Sequence, residues 1–196
     1  MIEYQRRRIL VAATASFARG YERTAVEDIV KRAGVSRRTV YDLFDGKDAI
    51  FRAAHSGALA SLRRRLRNAG SRPVRLDAAL DALLTWAVAE PDPALLVVAP
   101  ALVAGPNVGL ARERLFAVLG PSLGLPAPRS TTGRPSLPEA LLGGLAEVIA
   151  GRLLGGDSTT LPSLAPALSH FILAYRPALE ARPSTRGARA AAAAPG

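Results

Sequence analysis

The chain has 196 residues, no cysteine and a formal net charge of +10. This length can bury a substantial core, in one domain or in a small domain joined to a larger one, and the missing thiols exclude disulfides, thiolate metal sites and a cysteine nucleophile. Residues 1–70 carry 15 Lys+Arg against 7 Asp+Glu, whereas residues 71–181 carry 8 against 9 and residues 182–196 add three arginines, so a basic, nucleic-acid-binding head on a near-neutral body is expected.

The first predicted helix runs over residues 3–19, where Ile9, Ala13 and Phe17 recur at i, i+4, i+8 beside Leu10, and Gly20 ends it. The opening MIEYQRRRIL has no apolar signal segment. Residues 24–47, TAVEDIVKRAGVSRRTVYDLFDGK, read as two short helices around a glycine turn. Thr24 is the expected N-cap of the first, with Glu27 and Asp28 at its positive end and Val26, Ile29, Val30 and Ala33 as its apolar stripe. Gly34 supplies the turn, Val35 plugs the space between the helices, and Ser36 caps the second helix. There Arg37, Arg38, Thr39 and Asp42 face outward while Val40, Leu43 and Phe44 face inward, and Asp45-Gly46 ends the helix. This is a helix-turn-helix whose second helix suits the DNA major groove.

A long helix follows over residues 47–68, with Ile50, Ala54, Ala58, Leu62 and Leu66 buried; at ~1.5 Å per residue it spans about 33 Å and reaches a second domain. Gly70 to Pro73 break the chain. A helix over 75–89 carries Leu76, Leu80, Leu83, Leu84 and Trp86, and Glu90-Pro91-Asp92-Pro93 breaks it. A short apolar helix over 94–104 bends at Pro100, Asn107 caps a helix to Leu119, and residues 120–137 form a Pro/Gly/Ser/Thr-rich loop. The last helices cover 138–154 and 162–176, and residues 182–196 are expected to be a disordered tail. The fold class is therefore all-α: residues 1–46 as a DNA-binding domain, and residues 47–181 as a helical regulatory and dimerisation domain. Uncharged Pro93–Ala111 and Ser158–Tyr175 raise the membrane question, but their prolines favour buried helices over spans, and no membrane partner is expected.

Phe17, Gly20, Thr24, Ile29, Ala33-Gly34-Val35-Ser36, Thr39, Tyr41, Phe44 and Lys47 stand in the order and spacing of one family's DNA-binding domain. Over residues 6–55 the chain resembles the TetR family of transcriptional regulators. The resemblance implies phosphate contacts from Tyr41, Lys47 and Thr24, an effector pocket in the second domain, and dimerisation through the last two helices. One departure is Leu43, where the family often has a phosphate-contacting His.

From the residues and the resemblance together, the expected DNA contacts are Thr24, Ser36, Arg37, Arg38, Thr39, Tyr41 and Lys47. An arginine can fork onto guanine, but which of Arg37 and Arg38 does so stays open. Arg6, Arg7 and Arg8 either add contacts or form a basic arm. Arg63, Arg64, Arg65 and Arg67 suit the C-terminal end of their helix. Trp86 and Phe116 are candidate effector contacts, with an ordinary core tryptophan as the alternative; an apolar lining favours an apolar or amphipathic small molecule. Leu141, Gly144, Leu145, Val148, Leu168 and Ile172 are the expected dimer interface, with burial inside one subunit as the alternative. His55 and His170 lack metal-ligand spacing and are expected to be surface or hydrogen-bonded core residues; no metal, cofactor or catalytic residue is expected. The expectation is a cytoplasmic, non-enzymatic, ligand-responsive repressor that binds a palindromic operator as a homodimer. The alternative, suggested by Leu43, is a ligand-binding or scaffold protein with weakened DNA binding.

Overall fold

The computed structural model describes residues 1–69, 76–100, 104–126 and 136–180, and every regular element among them is helical. In chain order these are α1 (Ile2–Phe17), α2 (Val26–Ala33), α3 (Arg37–Leu43), α4 (Gly46–Asn68), α5 (Leu76–Ala89), α6 (Pro91–Val98), α7 (Val108–Ser122), α8 (Leu137–Leu154), α9 (Ala165–Ala174) and α10 (Arg176–Glu180). Short 3-10 turns precede α7 and α9. No helix among the described residues is long and apolar enough to cross a membrane.

The head forms where α1 packs on α2, α3 and α4. Ile9, Ala13 and Phe17 of α1, Ile29 of α2, Val40 of α3 and Ile50 of α4 are fully buried together. An aromatic knot holds α1 to α4: Phe51 meets Phe17 and Tyr21 edge-on at centroid distances of 5.2 and 5.7 Å. Such pairs add about 0.5–1.5 kcal/mol each beyond area burial.

α4 belongs to both halves. Its 23 residues rise about 35 Å, and it packs against α1 as well as α5, α6 and α7. The expected stripe Ile50, Ala54, Ala58, Leu62 and Leu66 is buried, and so is a second stripe, Phe51, His55 and Leu59. Two buried stripes suit a helix covered on two sides. The body closes as α8 packs on α5, α6 and α7, with α9 against α5.

Three boundaries and one side-chain cap correct the sequence expectations. The N-cap of α2 is Ala25, not Thr24; the Asp28 carboxylate accepts the Ala25 N–H at 3.2 Å. α6 starts at Pro91 inside the expected break, because proline at a first helical position lacks only an N–H that would be unpaired anyway. Asn107 caps nothing with its side chain, which is used elsewhere. α7 runs on to Ser122 with Pro121 in its last turn, so the expected loop begins later. Residues 127–135 of that loop, the 70–75 break, residues 101–103 and the 181–196 tail lie outside the described residues.

Candidate nucleic-acid interface

The turn between α2 and α3 is built as its residues demand. Gly34 adopts φ 61°, ψ 41°, and its N–H donates to Val30 O at 3.0 Å. A side chain at this left-handed position would be strained, and a Cβ would lie 2.5 Å from the Arg8 guanidinium. Ser36 is the N-cap of α3, its Oγ accepting the Thr39 N–H at 3.0 Å. The Ser36 and Thr39 hydroxyls also hydrogen-bond each other at 2.8 Å. Phe44 leaves the helix in an extended conformation, and Gly46, at φ 76°, turns the chain into α4.

This frame aims the polar residues of α3 outward. Val40 is fully buried and Leu43 half-buried against the core, which is why a leucine is accommodated there. The side chain of Arg38 is 91% exposed, and that of Arg37 65%. Tyr41 is exposed, with the Arg37 guanidinium 5.5 Å from its ring centroid. Arg37 also pairs with Glu27 of α2 at 3.1 Å. The Tyr41 hydrogen bond, and then the Glu27 charge, raise the Arg37 pKa above its ordinary value.

Thr24 behaves differently from the other expected contacts. It is buried, and its hydroxyl is directed to Ser16 O and Gly20 O, both at 2.9 Å. It ties the chain reversal after α1 rather than starting α2. Lys47 stands at the start of α4, its Nζ 4.0 Å from the centroid of the Tyr21 ring. The ring supports the ammonium by a cation–π contact. Arg6 lies over the Phe44 ring at 4.6 Å and Arg8 over Tyr4 at 5.7 Å. These two arginines therefore pack on the head. Arg63, Arg64, Arg65 and Arg67 lie exposed toward the C-terminal end of α4.

Sequence reasoning missed Tyr21, Asp48 and the pairing role of Glu27. Asp48 accepts from the Tyr21 hydroxyl at 2.5 Å and from Asn107 Nδ2 at 2.9 Å. These donors, the tyrosine first, hold its carboxyl below the usual range, while burial and the Asp48 hydrogen bond push the Tyr21 hydroxyl up. No local pattern could reveal a bond spanning 59 positions.

In the body, Trp86 is buried, its indole N–H donating to Ser61 Oγ at 3.2 Å, and Ser61 donates to the Glu90 carboxylate at 3.0 Å. Phe116 is buried beneath Arg112. A groove of about 960 Å³ runs between α1 and α4, with Ser61 and Glu90 on its wall; neither Trp86 nor Phe116 lines it. His55 corrects the expectation of a hydrogen-bonded core histidine. It is buried and stacks on Phe51, and its Nε2 has no partner among the described residues. Burial first, and the Arg114 charge second, push its pKa down to about 4. His170 is exposed.

The residues expected at a dimer interface divide. Leu141, Leu145, Leu168 and Ile172 are buried within the protomer. Gly144 and Val148 lie on the opposite, exposed face of α8, and Phe171 of α9 is 4.0 Å from where a Gly144 Cβ would stand. A helix covered by its own subunit on one side has only its other side left for a second copy.

A capped helix-turn-helix sharing one long helix with an apolar helical body defines a DNA-binding transcriptional regulator. Residues 9–54, the helix-turn-helix head, match the family model described as bacterial regulatory proteins, tetR family. The fold is shared with solved structures of low sequence identity. The fatty acid degradation regulator FadR from Bacillus halodurans is 17% identical, with TM-score 0.64 over 86% of this chain and 94% of that one. A TetR-family regulator from Bordetella parapertussis 12822 is 21% identical, with TM-score 0.60 over 90% and 98%. A TetR-like regulator from Rhodococcus sp. RHA1 is also 21% identical, with TM-score 0.59 over 87% and 96%. No curated protein matches the sequence significantly.

Proposed function

We propose that this protein is a ligand-responsive repressor that binds a palindromic operator as a homodimer in the cytoplasm. Residues 1–46 form its DNA-binding part and residues 47–181 its regulatory and dimerising part, with α4 serving both. The observation that carries the reading is the outward face of α3, where arginine side chains stand exposed on a helix fixed by the Ser36 cap and the buried Val40. Phosphates are met by Tyr41 on that helix and by Lys47 beyond its C-terminal end; base edges are met by its first residues. Two such helices enter successive major grooves when held about 34–36 Å apart. The exposed Gly144, Val148 and Phe171 face supports the second copy. The near-neutral body, with its apolar interior, supports an apolar or amphipathic effector, bound more tightly by the DNA-incompetent spacing.

Gel shifts with DNA from immediately upstream of the gene, at moderate salt, test the reading. A specific complex that cell extract or an added apolar ligand dissolves is expected. Absence of any sequence-specific complex, with and without extract, sinks it in favour of a ligand-binding or scaffold role.

A further inference from the structure

The structure separates two arginines that the sequence leaves equivalent. Consecutive residues of a helix are about 100° apart around its axis. Val40 marks the buried side of α3. Arg38 and Asp42, two positions before and after it, therefore each stand about 160° away, at the outermost edge of the helix. Arg37 stands only about 60° from Val40, on the side facing α2. There it is pinned between the Glu27 carboxylate at 3.1 Å and the Tyr41 ring at 5.5 Å. A double helix approaching α3 meets Arg38 and Asp42 first. Arg38 Nε lies 3.7 Å from Asp42 Oδ2, and the Asp42 side chain is 66% exposed.

A carboxylate at this edge is unfavourable for any sequence-independent contact, because it faces the phosphates of the groove walls. It is useful against one kind of partner. Cytosine presents only an amino donor in the major groove, and a carboxylate accepts from it. The same carboxylate steadies a neighbouring arginine, which can then fork onto guanine O6 and N7. At 3.7 Å Asp42 and Arg38 form an ion pair without a hydrogen bond, so the carboxylate's charge orients the guanidinium while its lone pairs stay open to a base.

We propose that Asp42 is a specificity-determining residue that accepts from cytosine N4 in the major groove while directing Arg38 onto the guanine of a neighbouring base pair, with Arg37 acting as the tie between α2 and α3. This deepens the DNA-binding reading above and rests on it. Asp42 also weakens binding to every other sequence, so it sharpens discrimination from both sides.

The test is selection from a duplex library with a randomised stretch of about two helical turns, using the wild-type protein and its D42A, D42N, R38A and R37A variants. The wild-type protein is expected to enrich a motif containing adjacent G·C pairs. D42A should become degenerate at one cytosine, losing roughly five- to a hundredfold discrimination there, and should bind a fixed unrelated duplex several-fold more tightly. D42N should move that position toward adenine, which asparagine reads through N6 and N7. R38A should lose the neighbouring guanine, and R37A should keep the whole motif at reduced affinity. A D42A protein that enriches the wild-type motif unchanged overturns the role of Asp42, and so does loss of the guanine in R37A but not in R38A. A wild-type protein that enriches nothing overturns the DNA-binding reading itself.

Discussion

Asn107, at the entrance to α7, donates its side-chain amide to Asp48 across 2.9 Å, and Asp48 is the neighbour of Lys47. A residue of the helical body is thus hydrogen-bonded one position from an expected phosphate contact. Asn107→Ala should lower unfolding free energy by about 1 kcal/mol, the worth of one such bond. It should also shift operator affinity without changing base preference. Urea unfolding and gel shifts measure both, and unchanged operator affinity would mean that the bond only holds the fold.

Gly105 lies beside the same contact. It adopts φ 51°, and a Cβ there would sit 2.5 Å from Tyr21 Cδ1, an aromatic ring held between Phe17 and Phe51. Gly105→Ala is therefore strained twice, in its backbone and against a ring with no room to move. It should destabilise by about 2–3 kcal/mol. Gly34→Ala meets only the end of the flexible Arg8 side chain and should cost about 1 kcal/mol. Equal losses in urea unfolding would contradict this ordering.

His55 gives a pH dependence with a defined window. Its folded pKa, about 4, lies below the ordinary 6.5. Between those values the unfolded chain binds a proton that the native chain refuses. Stability is therefore full above about pH 6.5 and falls as pH drops toward 4, by at most about 1.4 kcal/mol per unit. The carboxyls of Asp48 and of Glu139, the latter depressed because it accepts the Ser136 N–H at 2.6 Å and the Ser136 hydroxyl at 3.0 Å, act at lower pH, below their ordinary 3.8 and 4.5. His55→Leu removes the unpartnered nitrogen and should flatten the profile between pH 6.5 and 5. A variant whose urea midpoint still falls over that interval would assign the effect to another group.

Lys47→Ala should weaken binding to all duplexes alike and reduce the slope of log K against log salt by about 0.9, one phosphate neutralised. Titrations at several salt concentrations measure it. A changed base preference would move Lys47 from the backbone to the bases.

Val148→Glu places a charge on the exposed face of α8 opposite the buried Leu145 and Ile149. If that face joins two copies, sedimentation should show the dimer lost while far-UV circular dichroism shows the helices retained. Leu145→Ala, by contrast, should act on the protomer's own stability, by about 2–5 kcal/mol.

The head was legible because its signals are local. Gly34 must turn, Ser36 must cap, and Val40 and Phe44 must face inward at helical spacing; all four do so. Periodicity failed where a helix is covered on two sides. The stripe Phe51, His55 and Leu59 has the same spacing as the stripe Ile50, Ala54 and Ala58, and nothing local says that both are buried. In α8 the same ambiguity assigned Leu141 and Leu145 to an interface when they face their own core. Thr24 reads as a cap because threonine commonly is one, but its hydroxyl closes on Ser16 and Gly20 instead. The pairs Arg37–Glu27 and Asn107–Asp48 depend on how separate helices come to lie together, which no spacing rule contains.

The shared α4 decides where this protein can be recombined with another. Ile50 and Phe51 seal the cluster of Ile9, Phe17, Ile29 and Val40, so a fragment ending at Gly46 would leave that cluster open to water. A functional transplant of its DNA specificity must carry α4 along, together with Asn107's counterpart on the recipient or a substitute for it. The basic head and the near-neutral body are separate in charge, but they are not separable with scissors.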